Sequence, residues 1–275
     1  SNFILNHKID KISKQMNIPL FIHVVLTERC PFNCNQCYSS LSNAEMEWDA
    51  FSKRIQEASS LKISSILLTG GEPLVYSRFL DAVHLLSTYK MECRIATSGY
   101  GLDEDIARKL YYANVSRVFV SLNGSTAEIN DCSRAGFYEA INALNTLRSA
   151  GISCGINWVA RSDNIEDFER MINLAKDYDV DEFVILKNKP DRSGLLESAL
   201  SEVQINFLSQ AVVCCKTATT GLIISIDPCF SELREKLINK RYFPASCCAG
   251  KTFFDILPNN TLVPCRHFNN SSHNI

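Results

Sequence analysis

The sequence lacks both long apolar runs and a strong charge of either sign. Its 275 residues carry 28 Lys and Arg against 30 Asp and Glu, a formal net charge of −2 at pH 7. Because nucleic-acid binding needs concentrated positive charge, this balance gives no electrostatic case for a nucleic-acid partner. No apolar stretch approaches the ~20 residues of a membrane-spanning helix. We therefore expect a cytoplasmic protein without a membrane partner.

The sequence also lacks a fourth cysteine near its first cysteine cluster. Cys30, Cys34 and Cys37 form a C-x3-C-x2-C array directly after the apolar run 20–26. This pattern predicts a loop at the C-terminal end of a buried strand. A short loop needs little ordering to bring three thiolates onto one metal centre. A [4Fe–4S] cluster held by three cysteines would keep one open iron, free to bind another ligand.

Three other interpretations compete for these cysteines. A structural zinc site needs four ligands, typically in two separated pairs. A disulfide framework is typical of small secreted domains, whereas this chain is long and shows no signal peptide. Unrelated buried cysteines are not expected to cluster on one loop. The local count and spacing therefore favour an iron–sulfur cluster.

Twelve cysteines are many for an intracellular enzyme, and six of them follow residue 210. In a reducing cytosol, such a count favours metal ligation over cross-linking. The isolated Cys93, Cys132 and Cys154 are expected to be small buried apolar residues. Cys214 and Cys215 fall on a predicted helix, where we expect them to face the core.

The hydrophobic pattern predicts six units in which a strand precedes a helix or loop, followed by an extension. The strands are predicted at 20–26, 63–68, 92–96, 117–122, 152–159 and 182–186, and the helices at 45–61, 78–90, 103–112, 137–150 and 165–178. Such units predict a parallel sheet with right-handed crossovers, either doubly wound or a partial barrel. Asp103 is a candidate helix cap. We expect a lead-in at 1–19, a main domain at 20–195 and an extension at 196–275.

Polar, glycine-bearing segments follow the predicted strands, where parallel α/β folds place their chemistry. Gly70-Gly71-Glu72-Pro73 follows the second strand. Its glycines would let the backbone approach a ligand closely, and its carbonyl groups could accept hydrogen bonds. Pro73 would stiffen the turn and Glu72 would help to fix it. Alone, the same residues also suit an ordinary strand-to-helix turn.

The cysteine array and Gly70-Gly71-Glu72-Pro73 together resemble the cluster loop and the GGEP motif of the radical S-adenosylmethionine (SAM) superfamily. The resemblance implies a (β/α)6 partial TIM barrel with a small C-terminal α+β extension. It implies that the open iron binds the amino and carboxylate groups of SAM, while the GGEP segment lies along the methionine end. An electron from the cluster would then cleave SAM to a 5′-deoxyadenosyl radical.

The resemblance also implies further cofactor contacts. Ser98 and Ser121 resemble positions whose hydroxyls contact SAM, and the amide of Asn123 would bind ribose hydroxyls. Arg134 resembles the arginine that pairs with the SAM carboxylate, a task that suits a bidentate guanidinium. Turn chemistry is the alternative for the two serines and Asn123. A surface salt bridge is the alternative for Arg134.

The adenine contact does not carry over from the family pattern. The family usually has an aromatic residue or histidine just before the third cysteine, but this chain has Gln36 there, and Tyr38 follows the cysteine. Cluster binding is unaffected by this difference. Further along the chain, Asn157, Val159 and Leu186 are candidates to flank the adenosine.

The extension resembles the start of a SPASM or Twitch domain, which carries auxiliary iron–sulfur clusters. Cys248 precedes a predicted hairpin and Cys265 ends it, with Asn260 in place of the usual glycine, a change that asparagine tolerates. Cys229 is the third candidate ligand, and Cys247 or a cysteine beyond residue 275 the fourth. Either the extension is short with one cluster, or the sequence is truncated. A zinc site is the alternative.

The resemblance implies an oxidoreductase that abstracts a hydrogen atom from a ribosomally made peptide, as RiPP maturases do. Cross-linking, thioether formation and epimerisation are the candidate outcomes, with flavodoxin or ferredoxin as electron donor. The alternatives are a sulfatase-maturase-like enzyme, a small-molecule radical SAM enzyme, and a non-catalytic iron–sulfur or zinc redox sensor. The sequence identifies no catalytic hydrogen donor or base.

Overall fold

The computed structural model describes residues 19–218, 221–237 and 247–269. Except for its last residue, the predicted lead-in lies outside them. The strands are β1 Phe21–Thr27, β2 Ser65–Gly70, β3 Glu92–Thr97, β4 Arg117–Ser121, β5 Cys154–Ala160, β6 Glu182–Lys187, β7 Ile223–Ile226, β8 Phe253–Ile256 and β9 Leu262–Val263. The helices are α1 Trp48–Ser60, α2 Phe79–Thr88, α3 Glu104–Tyr112, α4 Ala127–Asp131, α5 Phe137–Ser149, α6 Phe168–Asp177, α7 Glu202–Ala218 and α8 Ser231–Leu237.

The strands form one sheet in the order β7-β6-β5-β4-β3-β2-β1-β8-β9. Strands β1 to β7 pair in parallel, each beside its predecessor in the chain. A doubly wound sheet reverses its strand order at a switch point, and β1 to β7 show no such reversal. The six predicted strand units and the partial-barrel fold are confirmed. The unit α7–β7 continues the winding past residue 195, and the boundary there stays a prediction.

The two faces of the sheet differ in chemistry. On the face toward the helices, Trp158 packs against Phe168 and Phe183 at ring-centroid distances of 5.5 and 5.9 Å. Such aromatic side chains bury much apolar area and dominate core energetics. On the opposite face, Ser121 lies beside Asn157 in register, and both are half-buried. The strand period of two therefore directs polar groups into the barrel interior.

The end of the described chain returns to its beginning. β8 pairs in parallel with β1, and β9 pairs antiparallel with β8. The Phe21 and Phe253 rings stack with centroids 5.4 Å apart. Nδ1 of His23 lies 2.9 Å from Oδ1 of Asp255. This pairing brings the residues after β9 beside the loop that follows β1.

Local details refine the predicted elements. Asp103 caps α3 as predicted, because its Oδ1 accepts a hydrogen bond from the Ile106 amide at 2.8 Å. The predicted helix at 165–178 begins as a 3-10 turn, Ile165–Asp167, before α6. The short helix α4 was not predicted, since five residues are too few for a helical period. In the described part of the chain, no helix is both long and apolar enough to cross a membrane.

Candidate active site

The loops after β1, β2, β3, β4 and β6 meet at the C-terminal edge of the sheet. We call residues 28–38 the cysteine loop and residues 70–73 the glycine loop. The Gly71 amide donates to the Thr27 carbonyl at 2.7 Å, and the Glu72 amide donates to the Arg29 carbonyl at 2.9 Å. The glycine loop is therefore hydrogen-bonded to the chain immediately before Cys30.

The two glycines are required by this backbone contact. A Cβ atom at Gly70 would lie 2.5 Å from the Thr27 carbonyl oxygen. A Cβ atom at Gly71 would clash with the Arg29 carbonyl oxygen and would lie 2.7 Å from the Glu28 carbonyl oxygen. The sequence suggested close approach to a ligand, whereas in the structure the glycines first permit close approach to the cysteine loop.

Glu72 is fully buried and joins the glycine loop to the end of β3. Its carboxylate accepts hydrogen bonds from the Thr97 hydroxyl at 2.6 Å, the Ser98 amide at 2.7 Å and the Leu74 amide at 3.2 Å. The Ser98 hydroxyl also donates to it. Burial raises the pKa of Glu72, and the hydrogen bonds from Ser98 and Thr97 oppose that rise. Glu72 thus fixes the loop, and the Ser98 hydroxyl hydrogen is used within the protein.

The loop between α4 and α5 packs against the other side of the cysteine loop. The Asn35 side chain donates to the Cys132 carbonyl at 3.4 Å. The Gln36 amide donates to the Ser133 carbonyl at 3.5 Å. Gly136 has a φ of 95°, and a Cβ there would lie 2.7 Å from Cζ of Phe32. These contacts bring the segment that carries Arg134 beside the cysteines.

Three buried polar side-chain atoms in this region lack a partner among the described residues. They are Nε of Arg29, Oε1 of Gln36 and Nε of Arg134. A buried donor on a cation is costly to leave unpaired, so Arg134 fits a site for an anionic ligand group. Among the described residues, no carboxylate pairs with Arg134, whereas Arg29 pairs with Glu45. The Arg134 position therefore fits a carboxylate such as that of SAM.

Asn123 has a structural role in this geometry. It is 0% exposed; its Nδ2 donates to the Ser133 hydroxyl at 2.9 Å, and its Oδ1 accepts from the Val159 amide at 3.1 Å. Its carbonyl accepts from Nε1 of Trp158 at 3.1 Å and from the Asn164 side chain at 3.0 Å. Both amide atoms thus take part in hydrogen bonds within the protein. The assignment of the amide to the ribose hydroxyls stays a prediction.

The three cysteines lie together on the cysteine loop, where the Cys37 amide donates to the Cys34 carbonyl at 3.1 Å. Burial raises the pKa of Cys30 to about 11, and the charges of Glu72, Cys34 and Cys37 raise it further against a hydrogen bond from Phe32. Among the described residues, no three Cys, His, Asp or Glu side chains converge as ligands of a single metal ion. Thiolates that bind different irons of one cluster are spaced more widely. A donor set of three thiols suits iron–sulfur ligation.

Two of the candidate C-terminal ligands lie close together. The Sγ atoms of Cys229 and Cys247 lie 3.5 Å apart. Cys265 is buried, and this burial raises the pKa of its thiol. The structure thus brings Cys247, the predicted reserve ligand, to Cys229. The assignment of Cys248 as a ligand stays a prediction.

Sequence reasoning missed two arginines that contact the cysteine loop. Arg192, after β6, donates to the Asn33 side chain at 2.8 Å and to the Cys34 carbonyl at 3.3 Å. Arg266 donates to the Tyr38 hydroxyl and, at 3.3 Å, to the Gly70 carbonyl. Nothing in the sequence marked either contact, because both join residues far apart in the chain.

Two further groups lie on the same side of the candidate site as Arg266. The His267 ring lies against that of Tyr38, with centroids 3.8 Å apart. Burial lowers the pKa of His267 to about 3, with the charges of Lys189 and Arg266 adding to the effect. His267 is therefore neutral at physiological pH. Nζ of Lys189 pairs with Oδ2 of Asp227 at 3.2 Å.

Two curated relatives match just over half of the chain. It is 30% identical over 168 residues to the AdoMet-dependent heme synthase of Methanosarcina barkeri, covering 58% of this chain and 48% of that protein. It is 26% identical over 176 residues to the mycofactocin maturase MftC of Mycolicibacterium smegmatis, covering 62% and 45%. The chain thus spans about half the length of these curated relatives.

Solved structures show the same fold. SuiB of Streptococcus suis bound to S-adenosylmethionine is 17% identical with a TM-score of 0.81, and the match covers 95% of this chain and 64% of that one. SuiB bound to its precursor peptide SuiA gives a TM-score of 0.79 at 17% identity, covering 97% and 64%. The family model for the radical SAM superfamily matches residues 24–175, more than half of the chain. Since this match contains both the cysteine loop and the glycine loop, the chain belongs to the radical SAM superfamily.

Proposed function

We propose that this protein cleaves SAM reductively and uses the resulting radical to abstract a hydrogen atom from a ribosomally made peptide. One observation carries the proposal: three thiols, a glycine loop and the buried, unpartnered Nε of Arg134 lie at one edge of the sheet. A [4Fe–4S] cluster with SAM on its open iron supplies the electron and the 5′-deoxyadenosyl radical. The electron donor would be flavodoxin or ferredoxin, and the setting the cytoplasm.

The chain's own residues would divide the work of holding these groups. Cys30, Cys34 and Cys37 would ligate the cluster as thiolates. The guanidinium of Arg134 would grip the SAM carboxylate, which satisfies its buried Nε. The glycine-loop backbone, including Pro73, would line the methionine end.

The interior face of the barrel would hold the rest of SAM. Ser121 and Asn157 are half-buried neighbours in register, and their polar groups point to the same face. We assign the Ser121 hydroxyl to SAM, with Asn157, Val159 and Leu186 beside the adenosine. The Ser98 oxygen would contribute only through its lone pairs, because its hydrogen is donated to Glu72.

SAM cleavage is tested first by anaerobic reconstitution with iron and sulfide. With dithionite as reductant, the wild-type protein should release 5′-deoxyadenosine. The triple variant Cys30→Ala, Cys34→Ala, Cys37→Ala should release none and keep its circular dichroism spectrum. Cys214→Ala on α7 is the matched control and should behave as wild type, because Cys214, like Cys132, is exposed rather than buried as the sequence predicted. Undiminished 5′-deoxyadenosine from the triple variant would refute the assignment.

Two similar proteins support a peptide substrate. MftC is a maturase by name, and SuiB is described with a bound precursor peptide. The heme synthase from M. barkeri favours a second candidate, a small-molecule substrate related to haem. Deuterium transfer into 5′-deoxyadenosine distinguishes the two. A deuterated short peptide encoded beside the gene should transfer its label, and transfer only from a haem precursor would replace the peptide proposal.

We also propose a second iron–sulfur cluster in the extension, at residues 196–275. Cys229 and Cys247, whose Sγ atoms lie 3.5 Å apart, and the buried Cys265 support it, with Cys248 as a further candidate ligand. Iron and sulfide counts on the Cys30, Cys34, Cys37 triple variant isolate this site. About four irons per chain should remain. No residual iron, or stoichiometric zinc, would contradict the second cluster.

A further inference from the structure

Arg266 belongs to the extension by sequence but lies at the cysteine loop in space. It follows Cys265 and begins a short 3-10 helix, Arg266–Asn269. Its amide donates to Oδ2 of Asp255 on β8 at 2.7 Å. Because β8 pairs with β1, with Asp255 opposite His23, this hydrogen bond holds Arg266 beside the first strand.

The Arg266 side chain contacts both loops of the candidate site. One nitrogen donates to the Gly70 carbonyl at 3.3 Å, and another donates to the Tyr38 hydroxyl. Its guanidinium carbon lies 4.7 Å from the centroid of the Tyr38 ring. Tyr38 directly follows Cys37, and Gly70 begins the glycine loop. A single side chain therefore joins the two loops at the third cysteine.

The charge of Arg266 is not neutralised by a direct ion pair. Among the described residues, no carboxylate oxygen lies within 4.0 Å of its guanidinium nitrogens, and both hydrogen-bond partners are neutral. The nearest carboxylate in these contacts, Asp255, is bound by the Arg266 amide and by His23. Lys189 differs, because Asp227 pairs with it. Since guanidinium stays charged in proteins, a partly buried one favours an anionic group nearby.

We infer that Arg266 is a positioning residue that stabilises the reduced state of the cluster at Cys30, Cys34 and Cys37. The inference rests on the proposed function. Reduction transfers one electron from the donor to the cluster and makes it more negative by one charge. A fixed cation beside the third cysteine favours that state electrostatically. Arg266 itself gains and loses no electron or proton.

The test is a redox titration of the reconstituted protein, followed by electron paramagnetic resonance (EPR). The EPR signal that changes when SAM is added belongs to the cluster of the cysteine loop. This change distinguishes it from the signal of a second cluster. The variants are Arg266→Gln, which removes the charge, and Arg266→Lys, which keeps it. Arg234→Gln is the matched control, since Arg234 is half-buried on α8 and donates to the Pro228 carbonyl. Iron is counted in every sample.

At a fixed applied potential, Arg266→Gln should lower the ratio of reduced to oxidised cluster by roughly tenfold. For a one-electron couple this corresponds to a reduction potential lower by about 59 mV. Arg266→Lys should stay within about threefold of wild type, because charge rather than shape sets the effect. Arg234→Gln should not change the ratio. If Arg266→Gln loses its iron, a near-wild-type ratio in Arg266→Lys still supports the inference.

Two results would overturn the inference. One is an unchanged ratio of reduced to oxidised cluster in Arg266→Gln. The other is an equal loss of iron, or an equal drop in reduction potential, in both Arg266 variants. Either would assign Arg266 a purely structural role. If the wild type binds its cluster and cleaves SAM while one of these patterns holds, this inference alone fails. A wild-type protein without any cluster overturns it together with the proposed function.

Discussion

The cysteine loop and the C-terminal cysteine region both bring thiols together, but by different routes. Cys30, Cys34 and Cys37 lie on one loop after β1. Cys229, Cys247 and Cys265 come from three separate segments, and Cys265 follows a hairpin that crosses to the far side of β1. Closing a longer loop costs more conformational entropy. The first group is therefore organised locally, whereas the second depends on the sheet.

This difference appears in the surroundings as well. The cysteine loop is held by the glycine loop, by the segment before α5 and by Arg192. The C-terminal group is held by β8 and by the Lys189–Asp227 ion pair. The Asp227 carboxylate also accepts a hydrogen bond from the Cys229 backbone amide at 3.0 Å. Changes around the glycine loop should therefore disturb the first group and spare the second.

Glu72→Ala should have the largest effect. It leaves the Thr97 hydroxyl and the Ser98 and Leu74 amides without their buried acceptor. Unpaired buried donors cost about 1–3 kcal/mol each, so we expect a loss of at least about 3 kcal/mol in the free energy of unfolding. Urea denaturation measures this loss. Thr97→Val removes one of these donors, together with the acceptor of the Gly99 amide, and should cost about 2 kcal/mol; equal losses in the two variants would contradict the role of Glu72.

Gly71→Ala should come next, because the added Cβ meets the carbonyls of Arg29 and Glu28. Such overpacking costs about 1–3 kcal/mol. The cysteine loop should lose its iron while iron at the C-terminal cysteines remains. The control is Gly101→Asn, where no atom lies within 4 Å of a Cβ and asparagine tolerates the φ of 73°. Full iron retention in Gly71→Ala would show that the two loops are not coupled.

Arg134→Ala should weaken SAM binding without weakening the fold. Loss of a charge-assisted contact costs about 1.5–3 kcal/mol, which is roughly tenfold to a hundredfold in affinity. Equilibrium dialysis of the reconstituted protein measures it. Arg148→Ala, which removes an exposed ion pair to Asp179, should leave SAM affinity unchanged. Unaltered affinity in Arg134→Ala would return that residue to the surface-salt-bridge interpretation.

Arg192→Ala should have the smallest effect. Its side chain is exposed and donates to Asn33 and to the Cys34 carbonyl, so its loss should cost about 1 kcal/mol. We expect faster removal of iron by a chelator with little change in SAM cleavage. Arg108→Ala, in an exposed ion pair with Asp105, serves as control. Identical chelation rates in both variants would remove Arg192 from the support of the cysteine loop.

The comparison also separates the features that the sequence could predict from those that it could not. The six strand units, the cap at Asp103 and the loops after each strand follow from local patterns and were found. The parallel pairing of β8 with β1 and the contact of Arg266 with Tyr38 join distant segments, so no local pattern marks them. The hydrogen bonds of Asn123 could not be predicted for a related reason. Its burial depends on Trp158 and Asn164, which only the folded β5 region brings to it.

The EPR spectrum of the reduced, reconstituted protein, recorded with and without SAM, tests most directly whether the cysteine loop carries a cluster with one open iron. Binding of SAM to that iron should change the spectrum of the wild-type protein. The change should be absent in the Cys30, Cys34, Cys37 triple variant, in which only a C-terminal cluster could remain. A wild-type spectrum that SAM leaves unchanged, or a SAM-dependent change that survives in the triple variant, would contradict the account.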